Sequence, residues 1–521
     1  MGAFLYIFLT CFVLLSNMSE AAKILAVIPT PSLSHQVVFR PITQELAKRG
    51  HDVTVITTDP AFPKGGAPAN LTEMDIHDIS YRIWKEQFML ADKGNKENLL
   101  GQLKTLLDLL ITLFEAQVNE ESIQGLINDG NQKFDLIIVE ACFRPALAFW
   151  HIFKAPVVLM SSLGAVYDNY EIIGAPTHPL LYPTSFRQKL NNLTIWEKIL
   201  EIYQHNRIHQ MFHNHVADED KMLKKIFGPD IPSVTELNNH VEMLFLNENP
   251  VFVGIRPVPP TVVYMGGIHQ NLPKELPEDL KSYLDSSKNG VIYVSFGTNV
   301  DPTLLPADRT QILVQAVSQL PYDVLWKWNG DELPGRTANI RISKWLPQSD
   351  LLRHPKIKLF VTQGGLQSTD EAITAGVPLI GIPMLGDQWY NVEKYEAHKI
   401  GVRLDIDTLT EDQFKNTILR VIGDDSYRQN MIKLRSLIRD QPQSPLERTI
   451  WSIEHLLRHG GAKHLRSPAA NISWAEYLEL ELVLTLLAGV LAVISVVVIV
   501  INLLFKYFVS KYESVVKLKQ T

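Results

Sequence analysis

Cysteine is almost missing: the 521 residues hold two, Cys11 and Cys142. Cys11 lies in an apolar leader and is expected to leave with it, so Cys142 has no partner in what remains. A disulfide-stapled scaffold is excluded, and stability must come from buried apolar surface. An excess of basic charge is missing too. Lys and Arg number 49 against 56 Asp and Glu, a formal net charge of -7. No basic stripe is available to follow a phosphate backbone, which sets nucleic acid aside as a partner. Neither a GxxxxGK[ST] phosphate loop nor a GxSxG nucleophile elbow occurs, so the usual routes to nucleotide hydrolysis and serine hydrolysis are absent.

What is present is the composition of a globular chain, 46% hydrophobic and 20% charged, long enough for two domains with additions. Uninterrupted apolar runs mark both ends. Residues 3–15 are almost wholly apolar and are followed by Ser19 and Ala21, small residues placed for signal-peptidase cleavage, although no Lys or Arg precedes the run. Residues 482–501 contain no charge. At about 1.5 Å per residue they span the roughly 30 Å hydrocarbon layer of a bilayer. Lys506, Lys511, Lys517 and Lys519 follow, and positive charge on that side makes the tail cytoplasmic. The two ends together give a single-pass type I protein with its bulk in the lumen. Lys517-Leu-Lys519 resembles a dilysine retrieval signal for the endoplasmic reticulum. In a lumenal chain Asn70, Asn192 and Asn471 are glycosylation acceptors, each heading an Asn-x-Ser/Thr triplet.

Between the ends runs an α/β rhythm. Lys23-Ile-Leu-Ala-Val-Ile28 reads as a strand buried on both faces. A Pro/Ser turn follows, then a helix over 37–49 that stops at Gly50, then a strand over 52–57. Right-handed crossover makes such a β-α-β sheet parallel. The pattern continues with a Leu-rich helix at 99–118 and strands at 134–139 and 156–160. Residues 163–212 are rich in aromatics and prolines, either ordinary helices of a large domain or a cover over a cleft or membrane face. A Pro-rich stretch at 250–260 reads as a semi-rigid linker. Strands then return at 290–295, 322–328, 358–362 and 378–382, with a helix at 307–320. Ligands of such sheets sit beyond the carboxyl ends of the strands.

Two loops stand out chemically. In FVTQGGLQSTDEAITAGVPLIGIPMLGDQ, residues 360–388, a buried strand ends at Thr362 and Gly364-Gly365 allow close backbone approach to a ligand. Gln367-Ser368-Thr369 then open a helix whose first turn is expected to hold Asp370 and Glu371. Free amides and the positive dipole end make an anion site there without a metal. His35, in Ser34-His35-Gln36, follows the first strand in the loop that leads into the first helix. An imidazole there is placed to act as a general base near neutrality.

The 360–388 segment closely resembles the signature of the UDP-glycosyltransferase family, its insect members in particular. Val294-Ser-Phe-Gly-Thr298, Lys344-Trp-Leu-Pro-Gln348 and the RHGGAKHLR stretch at 458–466 extend the likeness over nearly the whole mature chain. The resemblance implies an α/β GT-B fold, two Rossmann-like domains facing across a cleft, with one C-terminal transmembrane helix. It implies a leader at 1–21, an acceptor-binding domain at 22–255, a linker at 256–272 and a UDP-sugar-binding domain at 273–455. A lumenal return segment at 456–481, a transmembrane helix at 482–504 and a cytoplasmic tail at 505–521 complete the chain.

By the same resemblance Trp345 would stack on uracil, Gln348 would bond near the base, and Glu371 would take the ribose hydroxyls. Ser295 and Thr298, with Gln363, Gly364, Gly365, Gln367 and Ser368, would hold the diphosphate. Asp387 and Gln388 would grip the sugar, and Arg256 matches a family linker motif. Gln363 stands where the family usually has His; an amide donates to phosphate but brings no positive charge. His35 falls at the family's base, and Glu140 falls where its partner carboxylate, more commonly Asp, is found. The implied reaction is an inverting transfer of a hexose, glucose above others, from a UDP-sugar to a small lipophilic acceptor such as a phenolic, pigment or sterol, in detoxification or conjugation. No cofactor and no metal are expected, and self-association is left open. A tethered binding protein of the same fold, without turnover, is the competing class, and Glu140 and Gln363 are the residues that keep it open. His205, His209 and His213 at helical spacing read as a polar helix face, and Asp405-Ile-Asp407 as a chance match to an acidic metal pair.

Overall fold

The computed structural model describes residues 21–87, 99–166, 168–270, 272–298 and 302–519. All but the last residue of the expected leader lies outside them. The chain divides into two compact units, Met1–Ser467 and Pro468–Thr521.

The first unit is built on two parallel sheets. Strands β1 (Lys23–Ile28), β2 (Asp52–Thr57), β3 (Leu71–Asp75), β4 (Leu136–Glu140), β5 (Val157–Ser161), β6 (Val241–Leu246) and β7 (Val262–Tyr264) form one, in the order β3-β2-β1-β4-β5-β6-β7. Strands β8 (Val291–Ser295), β9 (Asp323–Lys327), β10 (Ile340–Ser343), β11 (Ile357–Thr362), β12 (Leu379–Gly381) and β13 (Gly401–Arg403) form the other, in the order β10-β9-β8-β11-β12-β13. The central strands β1, β4, β8 and β11 are predominantly apolar and buried because both faces are covered. In both sheets the strand order reverses beside the first strand, which opens a crevice at the carboxyl ends.

Seven helices are used below: α1 (Leu33–Lys48), α2 (Leu99–Val118), α3 (Ile195–Phe227), α4 (Leu366–Ala375), α5 (Gln388–Ala397), α6 (Pro445–His459) and α7 (Leu480–Leu518). Helix α2 has the bounds that its Leu spacing predicts. Most of 163–212 is loop, with a short helix at Asn169–Ile173 and the first turns of α3, which a Thr194/Glu197 capping box starts.

The structure corrects several expectations. Helix α1 begins at Leu33, behind Ser32 in extended conformation, so His35 sits on the first turn and not in the loop before it. Helix α4 begins at Leu366, which places Asp370 and Glu371 in its second turn. Within the stretch taken as linker, Pro250–Val253 is helical and Val262-Val-Tyr264 adds an edge strand to the first sheet. Those three residues are β-branched or aromatic, and Pro259 and Pro260 precede rather than interrupt them. The boundary at 455 falls inside α6, which returns to the first lobe: Ile450, Ile453 and Leu456 are buried in one cluster with Ala26, Val38 and Ile42.

The second unit consists mainly of α7, whose stretch Leu480–Val516 has a mean hydropathy of 3.1 in its most apolar window and no burial within the protein. It is long and apolar enough to cross a membrane.

Candidate active site

The first half of the site forms where β1 and β4 end side by side. Glu140 is the last residue of β4, and its side chain is fully enclosed. His35 faces it from the first turn of α1, with Nδ1 2.5 Å from Glu140 Oε1. The second carboxylate oxygen accepts from the Thr30 amide at 3.2 Å. Glutamate, one methylene longer than the aspartate commoner in the family, therefore still reaches the imidazole. Gln36, buried beside His35, fixes the turn: its Nε2 donates to Ile28 O, Thr30 O and Thr58 Oγ1 at 3.0–3.1 Å, and its Oε1 accepts from Thr57. Sequence reading gave Gln36 no role. Its one signal was its place next to a candidate base.

The second half forms at the ends of β8 and β11 and the start of α4. Gly365 is the N-cap residue of α4, so the amides of Leu366, Gln367 and Ser368 have no intrahelical acceptor. Gly364 has φ 92°, and a Cβ there would lie 2.4 Å from Val392 Cγ2. Gly297 has φ 76°, and a Cβ there would lie 2.3 Å from Gln363 Nε2. Both positions thus require glycine. Ser295 ends β8, Thr298 is exposed beyond the turn, and buried Gln363 has an Oε1 with no hydrogen-bond partner among the described residues. Lys327, at the end of β9, donates from Nζ to Gly297 O at 2.9 Å and shapes this turn.

Gln348 organises the next segment. Its Oε1 accepts from Tyr293 Oη at 2.9 Å, while its Nε2 donates to Ser368 Oγ at 2.9 Å and Glu371 Oε2 at 2.8 Å. Burial pushes the Glu371 carboxyl up to about 7, against the opposing bond from Gln348. Trp345 leaves 61% of its surface open. Asp387 precedes the first residue of α5; burial raises its carboxyl to about 6 and Asn391 Nδ2 bonds it at 2.8 Å. Asn391 also donates to Gly364 O at 2.9 Å, tying the two loops together. Gln388 turns its Oε1 inward to the amides of Met384 and Leu385. Gln367 reaches the other way, across the cleft, to Ser34 O and Ser162 O.

One cavity of about 440 Å³ joins the halves. His35 lines it on one side; Ser295, Trp345, Gln348, Gln363, Glu371 and Asp387 line it on the other. Val37, Leu103, Leu106, Leu110, Val166 and Phe186 give it an apolar stretch of wall. Arg256 is elsewhere, its guanidinium 3.9 Å over the Tyr170 ring. Among the described residues one group of three or more His, Cys, Asp and Glu has donor atoms all within 4.8 Å: His35, Glu140 and Cys142. The expected acceptors differ in exposure. Asn192 is exposed, whereas Asn70 donates its amide to Ala47 O and His51 O.

Two Rossmann-like lobes, with the His35–Glu140 pair on one side and a glycine-lined helix N-terminus on the other, make a GT-B fold. A solved UDP-glucose: anthocyanidin 3-O-glucosyltransferase in complex with UDP has this fold. Its TM-score is 0.57 at 16% identity, over 84% of this chain and all of that one. The family model described as "UDP-glucoronosyl and UDP-glucosyl transferase" matches residues 22–516, and this chain belongs to that family. It is a UDP-glycosyltransferase. An ecdysteroid UDP-glucosyltransferase of Lymantria dispar multicapsid nuclear polyhedrosis virus is 37% identical over 498 residues, covering 94% of this chain and 97% of that protein. UDP-glucosyltransferase 2 of Dactylopius coccus is 30% identical over 522 residues, covering 98% of each.

Proposed function

We propose that this enzyme transfers glucose from UDP-glucose, with inversion, to a hydroxyl of a small lipophilic acceptor. The observation that supports this most is the His35–Glu140 pair, 2.5 Å apart, with His35 on the wall of the cavity that Leu366, Gln367 and Ser368 of α4 also line. With Nδ1 held by Glu140, Nε2 is the nitrogen left to accept a proton. The acceptor oxygen loses its proton to Nε2 as it bonds to the anomeric carbon. The bond from that carbon to the diphosphate breaks on the opposite face, and its electron pair leaves with UDP. The amides opening α4, with Ser295, Thr298, Gln363 and Ser368, stabilise the charge that grows on the diphosphate. No metal is needed in this scheme. Gln348 and Glu371 hold the base and ribose, Trp345 stacks on uracil, and Asp387 with the amide nitrogen of Gln388 holds the sugar.

The apolar wall supports a lipophilic acceptor. Among the candidate phenolics, pigments and sterols, the names of several relatives, ecdysteroid UDP-glucosyltransferases, favour the sterols. Helix α7 anchors the enzyme as a single-pass protein of the endoplasmic reticulum with its catalytic lobes in the lumen, where Asn70, Asn192 and Asn471 meet the glycosylation machinery. Conjugation of such acceptors for detoxification suits that place.

The test is a UDP-release assay on microsomes with UDP-glucose, UDP-galactose, UDP-xylose and UDP-glucuronate against a panel of phenols and sterols. UDP-glucose should give the highest kcat/KM, and NMR of the product should show a β-glucoside. A preferred donor other than UDP-glucose, or an α-linked product, would contradict the proposal.

A further inference from the structure

Cys142 is the one cysteine among the described residues, and its thiol is free. The reaction above does not use it, yet it stands beside the base. Two residues past Glu140, it sits in a turn fixed by Ala141 N to Met160 O and by Phe143 N to Glu140 O, both 2.9 Å. Its Sγ lies 3.8 Å from Thr30 Oγ1, in the loop that also binds Glu140. One nitrogen of His35, one oxygen of Glu140 and the sulfur of Cys142 all fall within 4.8 Å of one another.

We propose that these three side chains form an inhibitory site for a thiophilic divalent cation of the Zn²⁺ class. Zinc takes imidazole, carboxylate and thiolate ligands at ~2.0–2.3 Å, so neighbouring ligand atoms on a tetrahedral ion stand ~3.3–3.8 Å apart. The donors reach that spacing with side-chain shifts of ~1 Å. His35 and Cys142 both line the cavity, so an ion enters from there and its fourth position faces it. Three protein ligands with one open position suit zinc. Mg²⁺ and Ca²⁺ require six or more oxygen ligands and are excluded by the sulfur and nitrogen.

Binding exchanges bonds without electron transfer. The Cys142 thiol gives its proton to solvent as the metal–sulfur bond forms. The ion takes the imidazole and the carboxylate that orients it, so His35 no longer accepts a proton from the acceptor. That consequence rests on the reading of His35 as the base.

Binding and inhibition are therefore measured separately on the full chain in detergent. Zn²⁺ affinity is read by competition with a chromophoric chelator, and inhibition is normalised to each variant's activity in EDTA. Cys142→Ser, with Cys142→Ala as the second variant, should bind one zinc equivalent about tenfold more weakly or worse. The zinc concentration that halves its activity should rise in parallel, while Mg²⁺ leaves every variant unchanged. Equal zinc affinity in wild type and both variants would overturn the site. So would loss of the tight equivalent only in His455→Ala/His464→Ala, whose imidazole Nε2 atoms face each other at 3.1 Å elsewhere on the surface. Binding lost in the Cys142 variants without any inhibition in wild type would uphold the cation site and overturn His35 as the base.

Discussion

Gln367 of the second lobe clasps the carbonyl of Ser34, the residue before His35. Its Nε2 lies 3.3 Å from that oxygen and 3.0 Å from Ser162 O. The first turn of α4 is thereby tied to the turn that presents His35. Gln367→Ala should lower kcat about tenfold, near 1.4 kcal/mol and within reach of two hydrogen bonds, with little change in KM for UDP-glucose. Steady-state kinetics decide the matter: a raised KM with unchanged kcat would mean that the side chain serves the donor, as the sequence suggested.

Glu371 gives a pH dependence with a definite sign. Burial holds its carboxyl up to about 7, so the neutral acid dominates below that pH in the donor-free enzyme. The ionised form is the better acceptor for two ribose hydroxyls. UDP-glucose affinity should therefore rise with pH through about 7, and Glu371→Gln should abolish the rise while weakening binding throughout. The linkage to stability runs the other way. A carboxyl whose folded value exceeds its unfolded one adds stability at low pH and loses it as pH climbs through about 7. Without donor, the Tm of Glu371→Gln relative to wild type should thus increase over that interval. Calorimetric titration of UDP and thermal melts at several pH values check both.

The return of α6 to the first lobe has a stability consequence. Ile453 is fully buried against that lobe's core. Ile453→Ala should cost about 2–5 kcal/mol by cavity formation. Chemical denaturation measures it, and a loss under about 0.5 kcal/mol would mean that the helix does not pack there.

How far the sequence led can be judged from particular residues. Strand β1 and helix α2 were legible because their apolar patterns are continuous and their ends carry punctuation. The first four residues of helix α1 are not legible because Ser34, His35 and Gln36 are polar and follow a Pro/Ser turn, and Ser32 makes no side-chain capping bond. Strand β7 was lost to the prolines around it. Helix α6 reads as amphipathic, but no local signal says which lobe receives its apolar face. In the site, His35 and Glu140 are 105 positions apart; family resemblance, not spacing, paired them. The bonds of Gln348 to Tyr293, Ser368 and Glu371, and the reach of Gln367, are tertiary. They depend on where four strand ends meet, which residue type alone does not encode.

The most direct measurement is UDP release from UDP-glucose and a turned-over acceptor by wild type and His35→Ala, at saturating concentrations of both substrates. Loss of a general base should lower kcat by about 10²–10⁴ while UDP still binds. Glu140→Gln should fall between the two, since it leaves the imidazole in place but weakens its orientation. Equal rates in wild type and His35→Ala would contradict the assignment of His35 as the base.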